Sequence, residues 1–469
     1  MQTIIREEDV MLLQKQLSRQ MPTVAIKERI KTLKHLRSVI LSHLDEIEQA
    51  LFEDLHKSRE ESYMTETGIV LSEISYQLKH LKHWSRKKRV HSSLSLFPSK
   101  AYRVPQAYGV VLIVSPWNYP LQLSLLPLAG ALAAGNRVLL NPSLQSPATT
   151  SLLQKLINDN FPAELVYCLG GSIDETNKIL EQKPDYLFFT GSPITAKLIM
   201  SKIADKLIPT TLELGGKSPI IVDEDADLSV AVRRIALGKF INCGQTCIAP
   251  DYLFVHSSLK QRFIEQFKAF VSSEFGENPL QSPFYGRIIN SHHFDRLSLL
   301  IEQDKVIFGG KTIREQNYIS PTLIDSPAPD SPIMNEEIFG PLLPILTFDT
   351  IDSVLDHLRL QERPLALYYF GSKNKDIVDK TTSGGCCIND TIMHIVPHSL
   401  PFGGVGNSGL GAYHGKASFD TFTHYKSLLV SHKHIDLPFK YPPYGKHSYT
   451  LFRRLMRENV ICKLLSPTF

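Results

Sequence analysis

Long apolar runs are missing from this 469-residue chain, and none approaches the roughly 18–20 residues needed to cross a bilayer. The first residues, MQTIIREEDVMLLQKQ, lack the apolar core of a secretory leader. Cysteine is sparse and scattered, at Cys168, Cys243, Cys247, Cys386, Cys387 and Cys462, with no CxxC and no Cys/His pair at zinc spacing. That usage suits a reducing compartment in which a thiol can be kept for chemistry. The expected setting is therefore cytoplasmic, with no metal. Net charge is only +4, and no basic stripe is interleaved with aromatics, which argues against nucleic acid as a partner. The densest basic stretch, residues 79–91, reads as a solvated helix end and linker; the sharper alternative is contact with anionic lipid head groups. Internal repeats and low-complexity tracts are absent as well.

What is present is ordinary globular composition, 43% hydrophobic and 21% charged. Single cores stop growing near ~250–300 residues, so two large domains are expected. Over residues 24–57, Ile26, Ile30, Leu33, Leu36, Ile40, Leu44, Ile47, Leu51 and Leu55 recur at three- and four-residue steps, predicting one long amphipathic helix. Short apolar runs at 109–115, 137–140, 186–190, 219–222 and 252–256 then alternate with helical segments. A second series follows at 343–348, 365–370 and 386–389. Strands alternating with helices predict an α/β chain with two parallel-sheet domains.

Gly404, Gly406 and Gly409 spell GxGxxG, but the preceding PHSLPF is broken by proline and no amphipathic helix begins there. A dinucleotide fingerprint needs a strand before it and a helix after it, so this segment is rejected as a phosphate loop. Cys247, in INCGQTC, sits after Gly244 among polar neighbours. That pattern suggests a tight turn presenting a thiol near a helix start, where its pKa would fall toward the thiolate. A buried, inert cysteine is the alternative. Glu213 stands directly before Leu-Gly-Gly at the end of an apolar run, placed for a cleft or for an exposed loop. Asn118, between Pro116 and Pro120, follows a strand at the end where open α/β sheets bind ligands; an ordinary turn asparagine is the other reading.

Taken together, SPWNYP, FTGS, LELGGKSP, GQTC, EEIFGP and PFGGVGNSG resemble, in order and spacing, the motifs of the aldehyde dehydrogenase superfamily. The stretch YHGKASFDTFTH and the later Tyr441-Pro-Pro-Tyr444 resemble its class 3 branch. The similarity spans roughly residues 20–445. It implies a Rossmann-like cofactor domain over residues 1–85 and 107–210 and a catalytic domain over 211–395. It also implies a bridging, oligomerising hairpin over 86–106 and 396–425, followed by a tail, 426–469. The implied activity is NAD(P)-dependent oxidation of aldehydes, medium- or long-chain aliphatic or aromatic, to carboxylic acids. Cys247 would be the nucleophile, Asn118 an oxyanion donor and Glu213 the base that hydrolyses the thioester. Trp117, Thr190, Gly191, Ser192, Gly215, Glu337 and Phe339 would bind NAD or NADP, with Glu337 competing for the base role.

The chain also departs from that pattern. Asn141 and Leu144 stand where the family usually has lysine and glutamate on the adenosine ribose, and Ala196 replaces a glycine after FTGS. Cys243 is also unusual; a packed small side chain is the plain reading, a reversible Cys243–Cys247 disulfide the sharper one. The resemblance implies a homodimer. The tail pattern of Leu451, Phe452, Leu455 and Met456 against Arg453, Arg454 and Arg457 suggests a short amphipathic helix, docked on protein or lying on a membrane. A non-catalytic binding protein on the same scaffold is the rival from another class; relatives that pass the thioester to coenzyme A typically lack a base at the Glu213 position. Because Asn141, Leu144 and Ala196 all lie on the adenosine and pyrophosphate side that the resemblance implies, weak cofactor affinity and poor NAD/NADP discrimination are expected. Titrating both cofactors against fixed protein checks this, and a tight, strongly NAD-selective site contradicts it.

Overall fold

In this computed structural model residues 7–92, 96, 98–302, 305–436 and 441–457 are described. The apolar stripe of residues 24–57 forms two helices rather than one, Ile26–Ser42 and Leu44–Leu55. They part at His43, whose φ of −125° is not helical. There the His43 ring (2.7 Å) and the Ser42 hydroxyl (3.0 Å) both bond the Val39 carbonyl, a local alternative to the helical ladder. The stripe itself serves as expected: Leu33, Leu36, Ile40, Ile47, Leu51 and Leu55 are all buried. These helices pack on Gly68–Trp84, Gln122–Ala134 and Pro147–Asn158.

The first sheet has six strands in the order Gly409–Leu410, Thr210–Glu213, Tyr186–Thr190, Val110–Val114, Arg137–Asn141 and Val166–Cys168. All neighbours are parallel except the short Gly409–Leu410 edge. Its central strands are buried throughout, which explains their continuous apolar runs. The second sheet has seven strands, ordered Val306–Phe308, Thr322–Asp325, Leu342–Phe348, Tyr252–His256, Pro219–Val222, Ala366–Phe370 and Gly385–Ile388. Only Val306–Phe308 runs antiparallel in it. A third, antiparallel sheet joins Lys88–Val90, Lys100–Ala107 and Thr423–Val430.

The strand Thr210–Glu213 runs through the division expected at residue 210 and is hydrogen-bonded as a member of the first sheet. The chain reaches the second sheet only after residues 214–218. The rejected GxGxxG is a 3₁₀ turn, Gly406–Ser408, leading into Gly409–Leu410, which pairs with Glu213 and Leu212. It closes the edge of the first sheet rather than opening a helix.

Among the described residues no helix is long and apolar enough to cross a membrane. The tail forms a helix, Ser448–Arg457, with Tyr449 exposed and Phe452 against Tyr444 at 5.9 Å. Residues 458–469 of the expected amphipathic tail, with Cys462, lie outside the described residues.

Candidate active site

Three parallel strands end side by side at Glu213, Thr190 and Val114, on the edge where doubly wound sheets bind ligands. A cavity of about 560 Å³ opens there. Its wall contains Asn118, Cys247 and Glu213 together with Trp117, Thr190, Gly191, Ser192, Gly215, Glu337 and Phe339. All ten residues singled out by sequence therefore face one space, Thr190 and Glu213 from strands of the first sheet and the rest from loops and turns. Cavities of this size suit small-molecule ligands.

The loop carrying Cys247 is held in a left-handed path, with φ of 51° at Asn242 and Cys243 and 73° at Gly244. Asparagine tolerates this conformation. A side chain at Gly244 would collide with the Gly340 carbonyl, so glycine is needed for the close approach as well as for the turn. The loop is fastened from several sides. The Asn242 amide N–H donates to Glu61 (2.7 Å), and its side chain donates to the carbonyls of Asn118 (2.7 Å) and Gln245 (3.1 Å). Gln245 donates to the carbonyls of Asn242 (3.0 Å) and Arg287 (2.9 Å) and accepts from the Ile289 N–H (3.0 Å).

Asn118 closes this frame. Its side-chain nitrogen donates to the Gln245 carbonyl at 3.0 Å, leaving its second hydrogen for the cavity. Beneath it lies a fully buried ion pair, Lys57–Glu66, at 2.6 Å. Lys57 also donates to the Asn118 carbonyl (3.2 Å) and sits 4.0 Å from the Tyr119 ring centroid. Glu66 accepts the N–H groups of Leu121 (2.8 Å) and Gln122 (3.1 Å). Removing one partner from such a pair typically costs about 3–5 kcal/mol, because the other charge stays buried alone. The Tyr119 hydroxyl bonds Thr246, next to Cys247, at 2.6 Å.

The opposite wall is the loop of residues 336–340. Lys217 pairs with Asp251 and donates to the carbonyls of Ile333 and Glu336, both at 2.8 Å. Asp251 accepts the Ile338 N–H (2.9 Å), and Arg296 donates to the Ile338 carbonyl (2.6 Å). This clamp holds Glu337 over Gly215, where an added Cβ would strike the carboxylate. Phe339, at φ 50°, meets Trp117 edge-on at 5.4 Å.

Electrostatics in this space correct one expectation. The Cys247 thiol is pushed up to about 12, not down, first by desolvation and then by the carboxyls of Glu337 and Glu213. The backbone N–H groups of Cys247 and Ile248 oppose this, but less strongly. Desolvation also holds Glu213 well above the usual carboxylate range, and neither of its oxygens has a hydrogen-bond partner. Glu337 is pushed up to about 8, chiefly by desolvation and then by Asp251, against the pull of the Gly216 N–H, Lys217 and Arg296. Both cysteines are free thiols, and Cys243 lies against Tyr285 and Gly286.

On the adenosine side, Asn141 is buried and spent on the protein itself. It donates to Ser172 and Thr176 and accepts the Gly171 N–H. Leu144 is exposed and Ala196 is buried. Sequence reasoning missed Lys197, His293, Arg296 and Asn407, which also line the cavity. His293 packs on Trp117 at 4.7 Å and is pushed down to about 4 by burial. Lys217 was within reach, being part of LELGGKSP; Arg296 and His293 lie on a helix with no motif around them.

Comparison with known proteins adds family information. The sequence profile of the aldehyde dehydrogenase family matches residues 13–428. The 4,4'-diaponeurosporen-aldehyde dehydrogenase of Staphylococcus aureus is 44% identical over 433 residues, covering 91% of this chain and 94% of that protein. Aldehyde dehydrogenase family 3 member H1 of Arabidopsis thaliana is 42% identical, covering 92% and 91%. The solved substrate-bound state of Staphylococcus aureus AldH superposes with a TM-score of 0.93 at 42% identity, covering 96% of this chain and 99% of that one.

The thiol's position on the pH scale is directly measurable. In ligand-free protein, labelling of Cys247 by iodoacetamide is expected to rise about tenfold per pH unit from neutrality to pH ~10, because only the thiolate reacts. A plateau near neutrality contradicts this. Glu337→Gln is expected to speed labelling only above pH about 8, where the native carboxylate is ionised and repels the thiolate.

Proposed function

The chain belongs to the aldehyde dehydrogenase family, and we propose that the family's NAD(P)-dependent oxidation of aldehydes to acids runs here through a thioester on Cys247. The observation that carries this reading is the convergence of Asn118, Cys247, Glu213 and Glu337 on one cavity lined by both sheets. A dinucleotide fits its outer half. The Thr190 hydroxyl is buried without a partner, Ser192 caps the eleven-residue helix Pro193–Ile203, and Gly215 leaves room for Glu337 to approach. Helix N-termini favour anions, so Gly191 and Ser192 would hold the pyrophosphate. Trp117, Glu337 and Phe339 would hold the nicotinamide end. When bound, the dinucleotide supplies the hydride acceptor.

The protein's own groups do the rest. Once Glu337, the more readily ionised of the two carboxyls, has lost its proton to solvent, it takes the proton of the Cys247 thiol, and the sulfur bonds to the aldehyde carbon. The carbonyl oxygen, now an oxyanion, takes the free hydrogen of Asn118 and the Cys247 backbone N–H. One such donor is typically worth about 2.7–4 kcal/mol. Departure of hydride from the same carbon leaves a thioester on Cys247. Glu213 takes a proton from water, which attacks the thioester, frees the acid and returns the thiol. Neutral Glu213 must ionise first, so hydrolysis is favoured at higher pH.

The substrates we propose are aliphatic medium- or long-chain, or aromatic, aldehydes. Leu123, Trp117 and Phe339 give the cavity an apolar wall that would suit such substrates. A non-catalytic role on this scaffold draws on Asn141, Leu144 and Ala196, but it leaves the preserved catalytic constellation without a purpose. The proposed location is cytoplasmic, with the tail helix resting on protein rather than lipid. Thr423–Val430 presents an exposed strand edge carrying Leu429 and Val430, which supports pairing of two chains. Sedimentation velocity is expected to give twice the chain mass; a monomer contradicts the pairing.

With a panel of aldehydes and either cofactor, reduced nicotinamide absorbance is expected to accumulate, independent of coenzyme A. Cys247→Ala is expected to abolish it. Glu213→Gln is expected to keep the first turnover but slow the steady state by ~10²–10⁴-fold. Intact mass spectrometry would then show a persisting acyl adduct; full turnover by Cys247→Ala would refute the proposal.

A further inference from the structure

In the first sheet and the segment that packs on it, the Thr190 hydroxyl, both Glu213 oxygens and the Tyr413 hydroxyl are buried and have no hydrogen-bond partner among the described residues. Glu213 is 2% exposed and Tyr413 1%. A buried hydroxyl without a partner is destabilising, because burial removes the water it would otherwise bond. The surroundings of the Tyr413 ring do not call for a hydroxyl: it packs against Phe188 at 5.1 Å and Phe402 at 5.8 Å, where phenylalanine would serve.

Strand register shows which face of the sheet the Tyr413 ring packs on. Thr190 pairs with Glu213 and Phe188 with Thr211, and residues two apart on a strand share a face. Phe188, Thr190, Thr211 and Glu213 therefore line one side of the sheet, and Tyr413 packs on that side against Phe188. Its backbone is pinned by two hydrogen bonds to Phe402, at 2.9 and 2.8 Å. Four residues earlier, Gly409 pairs with Glu213. The titratable groups that act on the phenol are Glu213, Cys247 and Glu73, with His414 against its ring and Glu337 acting on the thiol. Tyr186, bonded to Thr211 on the same face, also feels Glu213. Unlike Glu337, which Lys217 and Arg296 draw toward its charged form, Glu213 is displaced by desolvation with no opposing pull from a lysine or arginine among the described residues.

We propose that Tyr413 is a positioning residue for Glu213, its O–H donating to the carboxylate whenever Glu213 ionises to activate water. The proposal rests on the reading that Glu213 is the deacylation base. A hydrogen bond to the charged form favours that form, so the tyrosine draws the working range of the base toward neutrality. Sulfur attack and hydride loss precede hydrolysis and do not depend on it.

The test is stopped-flow turnover of the full chain with saturating aldehyde and cofactor, from mildly acidic to alkaline pH. Tyr413→Phe is expected to leave the initial burst of reduced cofactor unchanged. It should move the acid limb of steady-state turnover up by about one pH unit. In the Glu213→Gln background the same substitution should add no further loss. Coincident limbs, or a loss that persists in the double variant, overturn the assignment of Tyr413 alone. Unimpaired turnover by Glu213→Gln overturns the base assignment instead, and this inference with it. If Tyr413→Phe does not fold, infrared titration of the unaltered protein replaces it. The carboxylate band that Glu213→Gln removes should shift when O–H is exchanged for O–D, and an unshifted band overturns the proposal.

Discussion

A hydrogen bond from the Asn118 side chain to the Gln245 carbonyl joins the segment after a strand of the first sheet to the loop that carries the nucleophile. Everything chemical in this protein depends on that join being rigid. Asn242 reaches across the same gap to the Asn118 carbonyl, and Lys57 supports that carbonyl from below. Lys57 is neutralised by Glu66, which in turn fixes the backbone at Leu121 and Gln122. The left-handed run at residues 242–244 is conformationally costly by itself, and it persists because this frame over-determines it. The result is a preorganised site, with its polar groups set before any ligand arrives.

The same enclosure sets the proton inventory. Cys247, Glu213 and Glu337 all sit where charge is poorly solvated, and each is displaced toward its neutral form. Lys239, buried nearby without a hydrogen-bond partner, is pushed down to about 8 for the same reason. A resting site of neutral acids protects the thiol from adventitious alkylation and oxidation, since the thiolate is the reactive form. It also means that ionisation is part of the catalytic cycle. Glu337 differs from Glu213 in having the Gly216 N–H, Lys217 and Arg296 to favour its charge, which makes it the easier of the two to ionise.

Much of this was legible in the sequence. Parallel strands buried on both faces announce themselves as short apolar runs, and Tyr186–Thr190, Pro219–Val222 and Tyr252–His256 fall where those runs lie. The site residues were found through motif order, because glycines and asparagines at strand ends are needed for close approach. What stayed hidden depends on groups far apart in sequence. The break at His43 interrupts an unbroken apolar stripe. The Cys247 loop looked like an acidifying turn, yet burial and two distant carboxyls reverse the shift. Arg296 and His293 carry no local signal, and Tyr413, though it opens the motif YHGKASFDTFTH, carries none for the role proposed here. Their placement is decided by how the second sheet and the 409–413 segment fold back on the first.

The most direct measurement is a crystal structure of the Glu213→Gln protein caught with aldehyde and oxidised cofactor. The account requires a thioester on the Cys247 sulfur, with its oxygen within hydrogen-bond reach of the Asn118 amide and the Cys247 N–H, and the Asn118–Gln245 bond still in place. An acyl group on another side chain, or an oxygen turned toward the carboxyl wall with Asn118 uninvolved, would contradict it.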